Sequence, residues 1–163
     1  MTWRGSTTIP HRILACLPYL LPLAEGIVFG IDLIMQFPIF GLILAPVLPF
    51  VAFYRQLTGG IPFGGLIIFF ILYMAVVRNY RIPHFIRFNT MQALMLDILL
   101  VVCGLVISLL GAPLQGTMIM ATLYNTLFLG MLAAFFYAVV QTLMGRYAEI
   151  PTLSDAVYMQ VRD

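Results

Sequence analysis

The sequence contains no lysine, and its 163 residues carry only 8 arginines and 6 acidic residues. Charged residues make up 9% of the chain, against roughly 25% in soluble domains. A soluble globule of this length cannot cover itself with so few charges. With 63% apolar residues and a mean hydropathy of +1.06, most of the chain must be solvated by lipid. This excludes a soluble enzyme and a disordered region. The arginines stand singly and the net charge is only +2, which excludes a nucleic-acid binder. Only two cysteines are present, Cys16 and Cys103, both inside apolar runs with no second Cys or His at metal spacing. That argues against a disulfide framework or a zinc site. No Ser-His-Asp, Cys-His or paired-carboxylate arrangement is visible, and no enzyme activity or cofactor is expected.

What is present is a series of five apolar stretches: Ile13 to Ile31, Phe37 to Tyr54, Phe63 to Val77, about Pro83 to Leu110, and about Thr117 to Met144. A segment crossing lipid must be helical, because unpaired backbone groups are costly there. The first stretch mimics a secretory signal, since Arg4 and Arg12 precede it. Pro18 and Pro22 interrupt it, however, Glu25 follows, and no small-x-small cleavage site stands out, so it reads as mature structure. No Ser/Arg-rich transit peptide is evident, and the product reads as bacterial or organelle-encoded.

Arginine placement arbitrates the topology, because basic residues concentrate on the cytoplasmic side. If all five stretches cross, Arg4, Arg12 and Arg55 face Arg78, Arg81, Arg87, Arg146 and Arg162 across the membrane, which is almost no bias. If the first stretch does not cross, only Arg55 lies opposite the other seven. The expectation is therefore an all-α polytopic membrane helix bundle in a single domain, 1–163. Four transmembrane helices fall over about 37–55, 62–78, 83–110 and 117–145. An interfacial or re-entrant segment occupies 11–31, with its helix roughly His11 to Ala24, and 146–163 form a cytoplasmic tail. Both termini are expected on the cytoplasmic or stromal side.

Pro38 suits the first turn of its helix, whereas Pro46 and Pro49 should kink it. The glycine-rich stretch Thr58 to Gly65 reads as a turn, since no Lys or Ser/Thr follows at phosphate-loop spacing. In the tail, Pro151 breaks the preceding helix, and Ser154 can cap a short one with Asp155 in its first turn.

The last two spans hold the polar groups. At 100° per residue, Arg87, Thr90, Asp97, Gly104 and Ser108 share one sector of the fourth span, and Asn89, Gln92 and Cys103 form a looser second face. On the fifth stretch Thr122, Thr126, Gly130, Ala133, Tyr137 and Gln141 share a sector. Thr122, Thr126, Gly130 and Ala134 repeat small residues every four positions, which permits close helix packing. Two readings stand side by side. Either the polar residues simply join neighbouring helices, or Arg87, Asn89, Gln92, Asp97, Asn125, Tyr137 and Gln141 line a water-accessible groove open to the cytoplasm. Asp97 lies too far along the helix from Arg87 to pair with it directly, so it needs another partner, a water path or a proton. His11 and His84 are possible metal or pigment ligands, but both fall beside arginines near interfaces, where a solvated role fits better.

The run from Tyr80 to Asp97, YRIPHFIRFNTMQALMLD, resembles the most distinctive block of the Tic family of twenty-kilodalton proteins. Leu17 to Glu25 (LPYLLPLAE), Ile61 to Gly65 (IPFGG) and Arg146 to Pro151 (RYAEIP) fit in the same order, so the resemblance covers nearly the whole chain. These proteins belong to the TIC complex, the chloroplast inner-envelope protein import translocon, with cyanobacterial and plastid-encoded relatives. The resemblance implies a four-spanning protein with both ends in the stroma. It also implies a part in protein transport, forming or lining a protein-conducting path with other membrane subunits of the translocon. Implied partners are those subunits, substrate polypeptides, lipid and further copies of the chain. It carries over no catalytic residues. The implied location is the plastid inner envelope, or the plasma or thylakoid membrane in cyanobacteria. Two other functions stay open: a structural or assembly subunit of a photosynthetic membrane complex, and a small-solute transporter using Asp97 or Glu25 for proton coupling. The compact size and the missing inverted repeat weigh against the transporter. Four helices packed at about 8–10 Å leave no room for a polypeptide between them, so one copy cannot enclose such a path.

Overall fold

The computed structural model describes residues 8–114 and 116–161, so Arg4 and Arg162 of the arginine count lie outside the described residues. Those residues form helices and turns, with no strand among them. We number the helices α1 (Ile9–Gln36), α2 (Pro38–Leu44), α3 (Leu48–Gly59), α4 (Gly64–Val77), α5 (His84–Leu114), α6 (Met118–Leu143) and α7 (Leu153–Gln160). Three of them, α1, α6 and α5 over His84–Leu109, are long and apolar enough to cross a membrane. The pair α2 and α3, bent by 79°, would make a fourth.

Helix α1 departs most from expectation. A short helix ending near Ala24 was expected, but helical structure continues to Gln36. Two tight 3₁₀ turns, Leu17–Tyr19 and Ile27–Gly30, interrupt the α-helical winding. Pro18 falls at the start of the first turn, and Pro22 falls three residues into the helical piece that restarts at Leu20. In the first turn of a helical piece an N–H has no partner within that piece, so a proline there removes no hydrogen bond. The prolines thus re-pitch the helix without ending it. What ends it is Pro38, which forces Phe37 into an extended conformation (φ −124°, ψ 91°) and then opens α2.

Helix α1 runs parallel to α5 and antiparallel to α6. Arg12 Nη1 donates to the Leu143 carbonyl at 3.3 Å, and Ala15 packs with Phe85 and Ile86. Further along, Gly26 lies against Met131, Gly30 against the ring of Phe128, and Phe29 over Gly104. A Cβ on Gly30 would overlap the Phe128 ring, so only glycine permits this approach. The contact runs from residue 12 to residue 30, roughly 27 Å at 1.5 Å per residue, close to the ~30 Å hydrocarbon thickness. Tyr19, Leu94, Phe88 and Phe128 are fully buried and fill the interior of the bundle.

The chain from 38 to 77 is broken twice. Pro46 and Pro49 flank the sharp bend between α2 and α3. A left-handed Phe63 (φ 58°) then precedes Gly64, where a Cβ would sit 2.7 Å from the Thr58 backbone. The span expected over 62–78 is the 14-residue helix α4, roughly 21 Å long and too short to cross alone. It closes with a π turn over Tyr73–Val77. The tail helix α7 docks on the bundle through fully buried Val157, and Tyr158 lies against Phe88 with ring centroids 4.7 Å apart. Its N-cap is Thr152, not Ser154, which lies buried inside the first turn.

Candidate functional site

Two polar layers lie within this bundle. The first sits near the end of α5 that follows Pro83. Tyr19 donates its hydroxyl proton to Asn89 Oδ1 (3.0 Å) and accepts from Gln92 Nε2 (3.0 Å). Thr142 Oγ1 donates to the same Asn89 oxygen at 2.9 Å, Asn89 Nδ2 donates to the Phe85 carbonyl at 2.8 Å, and Gln92 Nε2 also reaches the Ala148 carbonyl. All four side chains are fully buried, so the network joins α1, α5, α6 and the tail in a dry setting. Polar contacts of this kind hold membrane helices together. Arg87 is 5% exposed; its Nε donates to the Val77 carbonyl at 2.8 Å, at the end of α4, and its guanidinium lies 4.7 Å from the Tyr80 ring centroid. His84 contacts the Tyr147 hydroxyl at 3.0 Å through Nδ1 and the Val161 carbonyl at 3.4 Å through Nε2, so both ring nitrogens face the tail.

The second layer lies about midway along α5. Asp97 is 7% exposed, and its Oδ1 has no hydrogen-bond partner among the described residues. It lines a cavity of about 310 Å³ together with Glu25 of α1 and Gly65, Leu66 and Phe69 of α4; Ile98, Val101 and Val102 complete the wall. Glu25 Oε1 accepts from the Tyr54 hydroxyl at 2.9 Å, and Arg55 Nη2 donates to the Ala24 carbonyl at 3.3 Å. Two carboxylates from chain-distant helices therefore meet at the twofold break in the 38–77 segment. Arg55, Gln56 and the turn 60–63 are exposed beside them.

The residues singled out from the sequence are distributed over these layers and beyond. Asn89 and Gln92 come together in the first layer and Asp97 stands in the second, while Arg87 holds the end of α4. On α6, Asn125 and Gln141 are half-buried, and Tyr137 is exposed with its hydroxyl on the Glu149 carbonyl at 3.2 Å. Thr122 and Thr126 donate to carbonyls of their own helix, Met118 and Thr122. Thr126, Gly130 and Ala134 line a lateral groove of about 440 Å³ between α5 and α6, together with Leu96, Cys103 and Pro22. Pattern reading along α5 and α6 missed Tyr19, Glu25, Tyr54 and Thr142 as polar partners. Glu25 carried the available signal, an acid midway along an apolar stretch, and became legible once α1 was seen to run along α5. Among the described residues, no group of three or more His, Cys, Asp or Glu is placed to hold a metal ion.

The family model described as "Chloroplast import apparatus Tic20-like" matches residues 7–157. A Tic20 family protein of Synechocystis is 48% identical over 152 residues, covering 93% of this chain and 92% of that protein. Protein TIC 20-II, chloroplastic, of Arabidopsis thaliana is 32% identical over 99% of this chain and 78% of its own length. The Tic20 family protein Ycf60 of Gracilaria tenuistipitata var. liui is 35% identical over 94% of this chain and 76% of its own length.

Proposed function

This chain belongs to the Tic20-like family of the chloroplast import apparatus, and on that premise we propose that it is an integral membrane subunit of a protein translocation machine. In this reading it supplies one wall of a protein-conducting path, and partner subunits or further copies complete the path. The observation that carries the reading is the break at 60–63 beside Arg55, exposed at the depth of Glu25 and Asp97. Irregular backbone at membrane depth is tolerated only where protein covers it or water reaches it. A single copy leaves that edge open while its own interior is filled with side chains. The path therefore runs along the outer edge of α3 and α4, not through the middle of the bundle.

The topology that goes with this reading has four crossings. Helix α1 descends along α5. The broken segment α2–α3–α4 returns as one crossing: Phe40 meets Phe128 at a ring distance of 5.8 Å, the level of Gly30, then Gly65 stands at the level of Glu25 and Val77 at that of Arg87. Helices α5 and α6 make the last pair. Arg12, Arg78, Arg81, Arg87 and Arg146 then share the cytoplasmic or stromal side with both termini, and Arg55 alone sits at mid-depth.

Photo-crosslinking residues placed at Gln56 and Phe63 test the path. During active transport they should trap the moving polypeptide. Capture of lipid and resident subunits alone, with transport demonstrably under way, would overturn a path at this edge. Stoichiometric co-migration with a pigment complex in mild detergent would favour a structural role in photosynthesis instead.

A further inference from the structure

From the acidic notch at mid-depth we infer a docking site for a transmembrane helix of another subunit, one that carries a lysine or arginine at its centre. The inference rests on reading the chain as one subunit of a larger membrane assembly.

Asp97 is more than nine-tenths buried, and its Oδ1 meets no donor. Glu25, on the same cavity, has one oxygen occupied by Tyr54. Among the described residues neither acid is in an ion pair, and the Arg55 guanidinium next to Tyr54 donates to a backbone carbonyl. Two acids thus line one low-dielectric cavity whose lining holds no cationic side chain. Ionisable groups at this depth pair with one another or with a partner as a rule.

The shape of the cavity indicates what the partner is. Its outer walls, Leu66, Ile98, Val101 and Val102, are apolar and exposed on the side of the bundle, so the notch opens laterally toward lipid. Acyl chains fit those walls but offer no donor to Asp97. A soluble cation would find few oxygens, because five of the eight lining residues contribute apolar side chains and a sixth is Gly65. An apolar helix with one cationic side chain satisfies both wall and floor, and Gly65 at the rim lets a second backbone come close.

A resident subunit fits better than a passing substrate, because the burial of Asp97 is permanent and its compensation must be too. A second copy of this chain fits less well. The sequence has no lysine, and the one mid-depth arginine among the described residues, Arg55, donates to its own Ala24.

The test is equilibrium binding in nanodiscs, which needs no transport activity and so fails or succeeds independently of the conducting path. The full-length chain carries a donor fluorophore at Met159→Cys in a Cys16→Ala/Cys103→Ala background. The probes are acceptor-labelled Leu/Ala peptides of about 20 residues with a central Lys, a central Leu, or a Lys moved four residues off centre. The central-Lys peptide should transfer energy with an affinity about tenfold above the central-Leu peptide. Moving the lysine should abolish the preference, a control that needs no altered protein. Asp97→Asn should abolish it too, and Glu25→Gln should weaken it. Equal binding of all three peptides would overturn the site, as would a lysine preference that survives Asp97→Asn. Self-association of the chain that is lost with Arg55→Gln, without peptide binding, would replace the foreign helix by a second copy and equally overturn the proposal.

Discussion

The hydroxyl of Tyr19 and the side-chain oxygen of Asn89 lie 3.0 Å apart across 70 positions of sequence. This contact fixes the rotation of α1 against α5. Tyr19→Phe keeps the ring and removes the hydroxyl, leaving Asn89 Oδ1 with Thr142 alone and Gln92 with the Ala148 carbonyl. A loss of about 1–2 kcal/mol is expected, read as a lowered midpoint of unfolding in detergent. Asn89→Ala should lose more, because both Tyr19 and Thr142 then lack their acceptor. A Tyr19→Phe variant as stable as the parent would show that the network adds nothing to the bundle.

Two glycines should respond in opposite ways to the same change. Gly30→Ala drives a methyl into the Phe128 ring, and overpacking of this kind costs about 1–3 kcal/mol. Gly130→Ala meets open space, and in a helix it should be neutral or add up to about 1 kcal/mol. Thermal unfolding of the two variants side by side checks both signs; equal destabilisation would contradict the tight seating of α1.

The end of α1 offers a test of sidedness. In a cysteine-free background, Gln36→Cys should react with a membrane-impermeant maleimide applied from the outer face of sealed cells. Thr152→Cys should react only after the membrane is opened. Protection of the residue-36 thiol from the outside would mean that α1 folds back before crossing.

The sequence made some of this architecture legible and concealed the rest for definable reasons. Expected limits of 83–110 and 117–145 fall close to the two long helices, because those stretches carry unbroken apolar length and end at Pro83, Gly116 and Gly145. The N-terminal segment was harder to read. Each proline counts as a helix stop when viewed alone, whereas 3₁₀ turns shift Pro18 and Pro22 into positions where the missing N–H is harmless. The arginine tally is compatible with both the expected and the proposed arrangement. It depends only on the number of crossings between arginines, so a non-crossing first stretch and a twice-broken second crossing place the terminal arginines identically.

The polar positions show a related limit. A helical wheel revealed that Asn89, Gln92 and Asp97 needed company, but it carries no information about what stands opposite. Fully buried Tyr19 occupies the face of Asn89 and Gln92, and Glu25 shares the cavity of Asp97. Both partners belong to α1, the helix whose extent the prolines disguised.

The glycine contacts of α1 also bear on how the protein is made. A nascent chain that has reached residue 36 holds Glu25 and Asp32, two bare sockets at Gly26 and Gly30, and a tyrosine with no amide to meet. The ring that fills one socket and the amide that meets the tyrosine, Phe128 and Asn89, are synthesised at least fifty residues later. The packing of the first helix is therefore completed only after the last two have been made.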